Sequence, residues 1–176
     1  MLYLYLALTA AGVVAADQIV KSLIVSRYAP FVSAYLADSA RFTGVPQSEW
    51  TKVLPGVVHL TFQPNDGAAF SILSGQRWFF LVLTVVYLVL VVLAVRKKWV
   101  TGGALWALAA VTGGEIGNFI DRMLNGFVVD MIEVEFMHFA VFNVADCFIT
   151  CGAIVLMIFV LLEDRKSEGK HHAADA

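Results

Sequence analysis

The chain has 176 residues, 60% hydrophobic and 15% charged, with a net charge of −2 and a mean hydropathy of +0.78. A soluble domain is about half apolar and about one quarter charged, so the excess has to face lipid. The near-neutral charge excludes an electrostatic nucleic-acid binder, and two cysteines, Cys147 and Cys151, make neither a disulfide framework nor a zinc spacing.

No linker or low-complexity tract divides the chain, and no internal repeat is visible, so residues 1–176 read as a single integral membrane domain. The first apolar run, Leu2 to about Val25, lacks the positive start of a secretory signal and is long for its apolar core. It reads as a retained helix. Asp17 and Lys21 interrupt it four residues apart, acid first, as an intrahelical ion pair requires. The pair either lowers the cost of charge near a helix end or supports a polar pocket on the outer side.

The segment Ser26–Arg77 is too long for a bare turn. A short surface helix is expected around Phe31–Leu36, a loop at Gly44-Val45-Pro46-Gln47, and a strand at Val57–Phe62, followed by a tight turn at Asp66-Gly67. In Asn65-Asp66-Gly67-Ala68-Ala69-Phe70, Asn65 either heads an Asx turn or hydrogen-bonds an extended substrate backbone, with Ala68 and Ala69 leaving room for it.

A second span, Trp78–Val95, carries no charge. The third, Trp99 to about Ile120, contains Gly113, Gly114 and Gly117, whose spacing lets helix backbones approach closely. Within Gly113–Arg122, Asn118 and Arg122 share one face and read as functional, Arg122 through its fixed fork of donors. Asp121 reads as an interfacial charge that ends the span. The fourth span is Val144–Leu162, followed by a short, charged tail expected to be disordered. Arg96, Lys97 and Lys98 between spans two and three, and Arg165, Lys166 and Lys170 after span four, place both of these segments in the cytoplasm. Four spans then put both termini inside and residues 26–77 and 121–141 outside.

Alternation through Phe127–Phe136 sets Val128, Asp130, Ile132 and Val134 on one face, and Val129, Met131, Glu133 and Glu135 on the other. The two glutamates are expected to see water. Asp130 shares its face with branched apolar residues and points inward, where a carboxylate is costly unless paired or protonated. Asp146 follows Asn143 by three residues, as in a capping box, and an acid there suits the helix dipole. The same two aspartates, if they converge, can share one proton, so that one acts as base and the other as acid. His59 and His138 read as satisfied or interfacial, and no local spacing pairs either with Cys147. Both cysteines are expected to be small packing residues. A proton-coupled transporter is disfavoured, because the polar residues gather at one membrane face and no ionisable chain continues inward.

On these residues the chain resembles lipoprotein signal peptidase, or signal peptidase II. The motifs are Asp17-Gln18-Ile19-Val20-Lys21, Asn65–Phe70, Gly113–Asn118 with Asp121-Arg122, Val129-Asp130, and Phe142-Asn143-Val144-Ala145-Asp146. The resemblance implies a fold of four transmembrane helices with a small extracytoplasmic β-rich cradle between helices 1 and 2. It implies a metal-free aspartic endopeptidase of the bacterial cytoplasmic membrane, active near the outer face, that cleaves diacylglyceryl-modified prolipoproteins before the substrate's lipidated cysteine. The catalytic pair maps onto Asp130 and Asp146, and supporting or substrate-binding residues onto Asp17, Lys21, Asn65, Gly67, Asn118, Arg122 and Asn143. Membrane lipid, prolipoproteins and globomycin-type inhibitors are the implied partners, no cofactor is implied, and a monomer is expected. The stretch between Lys21 and Asn65 is longer than the family leads one to expect, with extra residues in Tyr28–Trp50.

Overall fold

The computed structural model describes residues 1–67 and 73–174, with side chains through residue 162. Positions Ala68, Ala69 and Phe70 of the Asn65 motif lie outside the described residues, as do the side chains of Arg165, Lys166 and Lys170.

Helix α1 (Leu2–Arg27) leads through Tyr28 into a short helix α2 (Ala29–Ala37). Pro30 falls in the first turn of α2, where its missing N–H costs nothing. Strands β1 (Thr51–Leu54) and β2 (Val58–Asn65) form a hairpin. Pro55 and Gly56 make its turn, closed by Val57 N–H donating to the Leu54 carbonyl at 2.9 Å. Gly56 has φ +78, which a type II turn requires after its proline. Helices α3 (Arg77–Arg96) and α4 (Ala104–Leu124) follow, then β3 (Val128–Val134) and α5 (Val144–Ala174).

Three outcomes differ from the sequence reading. Helix α4 begins at Ala104 and not at Trp99, because Lys98 (φ 56) and Gly102 (φ 58) turn the chain first. The backbone of α5 stays helical past Leu162 to Ala174, where a disordered tail is expected. The sheet is not confined to the segment between the first two long helices: its order is β1-β2-β3, with β3 drawn from the later outer segment. An unpaired β2 edge would leave backbone groups open, and β3 closes it in antiparallel register.

Among the described residues, three helices are long and apolar enough to cross a membrane: α1, α3 and Val144–Leu162 of α5. Helix α4 is of similar length, but Glu115, Asn118, Asp121 and Arg122 dilute its apolar content. It occupies the centre and packs on the other three long helices. Close contact there depends on glycine. A Cβ on Gly113 would lie 2.7 Å from the Ala10 carbonyl oxygen, and one on Gly114 would lie 2.6 Å from that of Ala145.

The long segment after α1 folds over one face of the sheet. Tyr28, Val45, Phe62, Phe127, Val129 and Met131 form a buried core with Ile24. Tyr35 presents its edge to Phe127 at 4.9 Å, and the Tyr28 hydroxyl donates to the Leu60 carbonyl at 2.6 Å. Both faces of the first half of β3 are therefore buried. Val129 and Met131 enter this core, and Asp130 faces the opposite way.

Candidate active site

Asp130 reaches its position through the register of the sheet. Leu60 pairs with Ile132 but Gln63 pairs with Asp130, so β2 carries one extra residue in between. Such a bulge reverses which face the following side chains occupy. Without it Asn65 would point away from Asp130. With it, Asn65 Nδ2 donates to Asp130 Oδ2 at 2.8 Å. The Asn65 Oδ1 accepts the Gly67 N–H at 3.0 Å, an Asx turn that fixes the amide's orientation.

The start of α5 is tied to the same strand. Phe142 and Ile132 exchange backbone hydrogen bonds of 2.8 and 3.1 Å. This sets Asn143, fully buried, beside Asp130, and Asn143 Nδ2 donates to Asp130 Oδ1 at 2.6 Å. Asn143 is also the cap of α5. Its Oδ1 accepts the Asp146 N–H at 3.0 Å, and Asp146 Oδ2 accepts the Asn143 N–H at 3.1 Å. The reciprocal capping box expected from the sequence is present. One asparagine thus contacts both aspartates.

Asn118 joins the group from α4. Its Nδ2 donates to Asp146 Oδ1 at 2.9 Å, and its Oδ1 accepts from Asn143 Nδ2 at 3.1 Å and from Lys21 Nζ at 2.9 Å. Lys21 is buried, and its ammonium also meets Asp17 Oδ2 at 2.8 Å and Asp121 Oδ2 at 2.9 Å. Three acceptors match its three N–H donors. The other Asp17 oxygen accepts the Ala145 N–H at 2.9 Å, which pins the first turn of α5 to α1.

Two members of this network were not read as such in the sequence. Asp121 is not an interfacial charge: it is 3% exposed, pairs with Lys21 and accepts the Val129 N–H at 3.1 Å. Gln18 donates to Asp121 Oδ1 at 3.0 Å and to the Gly117 carbonyl at 3.2 Å. Asp121 lies four residues beyond Gly117 and three beyond Asn118, on the glycine-marked face that meets α1. That spacing is the signal that was available.

A cavity of about 510 Å³ opens beside these groups. Asn65, Asn118, Arg122, Asp130 and Asp146 form its polar end, and Val141, Phe142 and Ile149 belong to its apolar side. Arg122 Nη2 donates to the Gly67 carbonyl at 2.8 Å, and its guanidinium lies over the Phe80 ring, 4.7 Å from the centroid. Cys147 and Cys151 also line the cavity, Cys147 half-buried and Cys151 exposed, so Cys151 is not the packing residue expected. Burial, and next the Asp146 carboxylate, push the Asp130 carboxyl up to about 7; the Asn65 and Asn143 amides and the Lys21 ammonium pull in the opposite direction. His59 sits apart, its Nε2 3.3 Å from Glu135 Oε2. Glu135 is exposed and Glu133 half-buried, so both glutamates reach water, Glu133 less fully.

Long apolar helices packed around α4, with a small sheet and buried carboxylates and amides at one end of the bundle, define a membrane enzyme. A solved structure described as a bacterial membrane enzyme is similar at a TM-score of 0.72 and 31% identity, covering 93% of this chain and 90% of that one. The family model for signal peptidase (SPase) II matches residues 9–162, and the chain belongs to that protease family. Among relatives, the lipoprotein signal peptidase of Lactococcus lactis subsp. cremoris (strain MG1363) is 47% identical over 115 residues, which cover 64% of this chain and 75% of the relative. That of Streptococcus thermophilus (strain CNRZ 1066) is 42% identical over 124 residues, covering 69% and 78%.

Proposed function

We propose that this protein is an aspartic endopeptidase that removes signal peptides from diacylglyceryl-modified prolipoproteins, cleaving before the substrate's lipidated cysteine. The observation that carries the reading is Asn143, whose one side chain contacts both Asp130 and Asp146 at the polar end of the cavity. Family membership and the names of the relatives support the substrate class.

Asp130 and Asp146 hold a water between them and share one proton. Asp130, pushed up to about 7, carries that proton at rest, and Asp146 is the base. As Asp146 takes a proton from the water, the water oxygen bonds to the scissile carbonyl carbon while Asp130 donates to its oxygen. Collapse of the tetrahedral intermediate breaks the C–N bond, and a proton returns to the leaving amine. Asn65, Asn118 and Asn143 orient the two carboxylates. Arg122, fixed on Gly67, holds the loop that receives the substrate backbone. Asp17, Lys21 and Asp121 anchor the first turn of α5 and the start of β3.

In this reading α4 is a fourth span enclosed by the other three, and residues 1–176 form one domain of the cytoplasmic membrane. Both termini are cytoplasmic, the cavity is at the outer face, and the monomer is the working unit. Globomycin-type cyclic peptides compete for the cavity.

The test is a gel-shift cleavage assay with a purified diacylglyceryl-modified prolipoprotein. Asp130→Asn and Asp146→Asn are each expected to lose more than about 100-fold in rate, the scale of acid–base catalysis, while retaining cooperative thermal unfolding. Normal turnover by a folded Asp146→Asn enzyme would sink the dyad.

A further inference from the structure

The floor of the cavity holds chemistry that the cleavage reaction does not use. Asp146, Cys147, Thr150 and Cys151 lie on one stripe of α5 and line the same cavity, so the stripe runs from the proposed base towards the apolar side. Both thiols are free; Cys151 is exposed and Cys147 half-buried. Cys151 stands five residues along the helix from Asp146, a rise of roughly 7.5 Å. Phe142 and Ile149 beside them are apolar, as a ligand arriving from lipid requires.

We propose that Cys147 and Cys151 form a thiol-capture site inside the substrate cavity, taking apolar electrophiles of the N-alkylmaleimide class. This rests on the reading of the cavity as the place where substrate binds. A sulfur adds to one alkene carbon to form a C–S bond. The π pair of the broken double bond passes to the neighbouring carbon, which takes a proton from water, while the thiol proton leaves to water. The adduct occupies volume that the substrate has to enter. Each CH₂ of the alkyl tail buried in lipid adds membrane affinity, so long-chain reagents concentrate at this depth. Cys151, the more open thiol, reacts first.

The experiment treats the purified full chain, reconstituted in lipid, with N-dodecylmaleimide, and follows intact mass and prolipoprotein cleavage together. The chain has two cysteines, so every adduct is assignable. The expected result is one adduct and then two, with cleavage falling below about a tenth of the untreated rate. A Cys147→Ser/Cys151→Ser enzyme is compared with its own untreated rate and is expected to show a ratio near one. Alkylation is also measured by mass in the Asp146→Asn enzyme, where prolipoprotein is expected to slow it several-fold. Adducts that leave cleavage unchanged, or thiols that react only after detergent unfolding, would overturn the proposal. An untreated enzyme that never cleaves, but whose thiols prolipoprotein still protects, would count against the protease reading and leave the thiol site standing.

Discussion

Lys21 shows how a charge survives deep in an apolar helix. Its ammonium is enclosed by Asp17, Asp121 and the Asn118 side-chain oxygen, each within 2.9 Å. Removing it would strand two buried carboxylates, a loss of about 3–5 kcal/mol for a broken buried pair. Lys21→Met is therefore expected to lower the unfolding temperature sharply in detergent, and to lower activity further by loosening Asn118. Asp130 carries the opposite lesson. Its folded-state pKa of about 7 exceeds its ordinary value of 3.8, so between those values the folded chain holds a proton that the unfolded chain has released. Stability from this group is full below about pH 4, falls as pH rises towards 7, and then levels off. Thermal melts from pH 4 to 8 are expected to fall by a few kcal/mol over that window, at about 1.4 kcal/mol per pKa unit. Asp130→Asn is expected to make the slope shallower, and an unchanged slope in that variant would assign the pH dependence elsewhere.

Among the elements, α4 organises the molecule because its glycines let α1 and α5 come close on two sides. Gly114 faces the Ala145 carbonyl and Ile149 at the first turns of α5, next to Asp146. A side chain there has to push that turn away. Gly114→Val is expected to cost about 1–3 kcal/mol by overpacking and to reduce cleavage more than stability alone explains. Melting and rate measurements on the same preparation check both. Gly117 faces Asp17 Oδ2, so its glycine keeps the ion-pair network closed from the other side. The bulge in β2 has a comparable role in the sheet, since one extra residue turns Asn65 towards Asp130.

At the scale of the whole molecule, apolar helices cover the outside and the polar groups gather at one end. In α3 only 11% of the most apolar window is buried, so most of that helix faces outward. The proposed topology places the β1–β2 hairpin outside and the Arg96–Lys98 turn inside. In a background with Cys147 and Cys151 replaced by serine, Val53→Cys is expected to react with an impermeant maleimide added to intact cells. Lys97→Cys is expected to react only after lysis, and labelling of Lys97→Cys from outside would invert the topology.

Sequence alone determined the apolar runs, the Asp17–Lys21 pair, the capping box at Asn143 and Asp146, and the inward aim of Asp130. Each depends on spacing within one element, where helix and strand periodicity fix which side chains share a face. It also supported the family resemblance, because the motifs occur in order along the chain. Tertiary structure decided what joins separate elements. Asp121 looked like a helix-end charge until α1 brought Lys21 and Gln18 against it. The third strand, the bulge that turns Asn65, and the cavity that exposes Cys147 and Cys151 depend likewise on which segments meet. A hydrogen bond between residues 65 and 130 leaves no periodic trace in either segment, since it is set by register and packing between them.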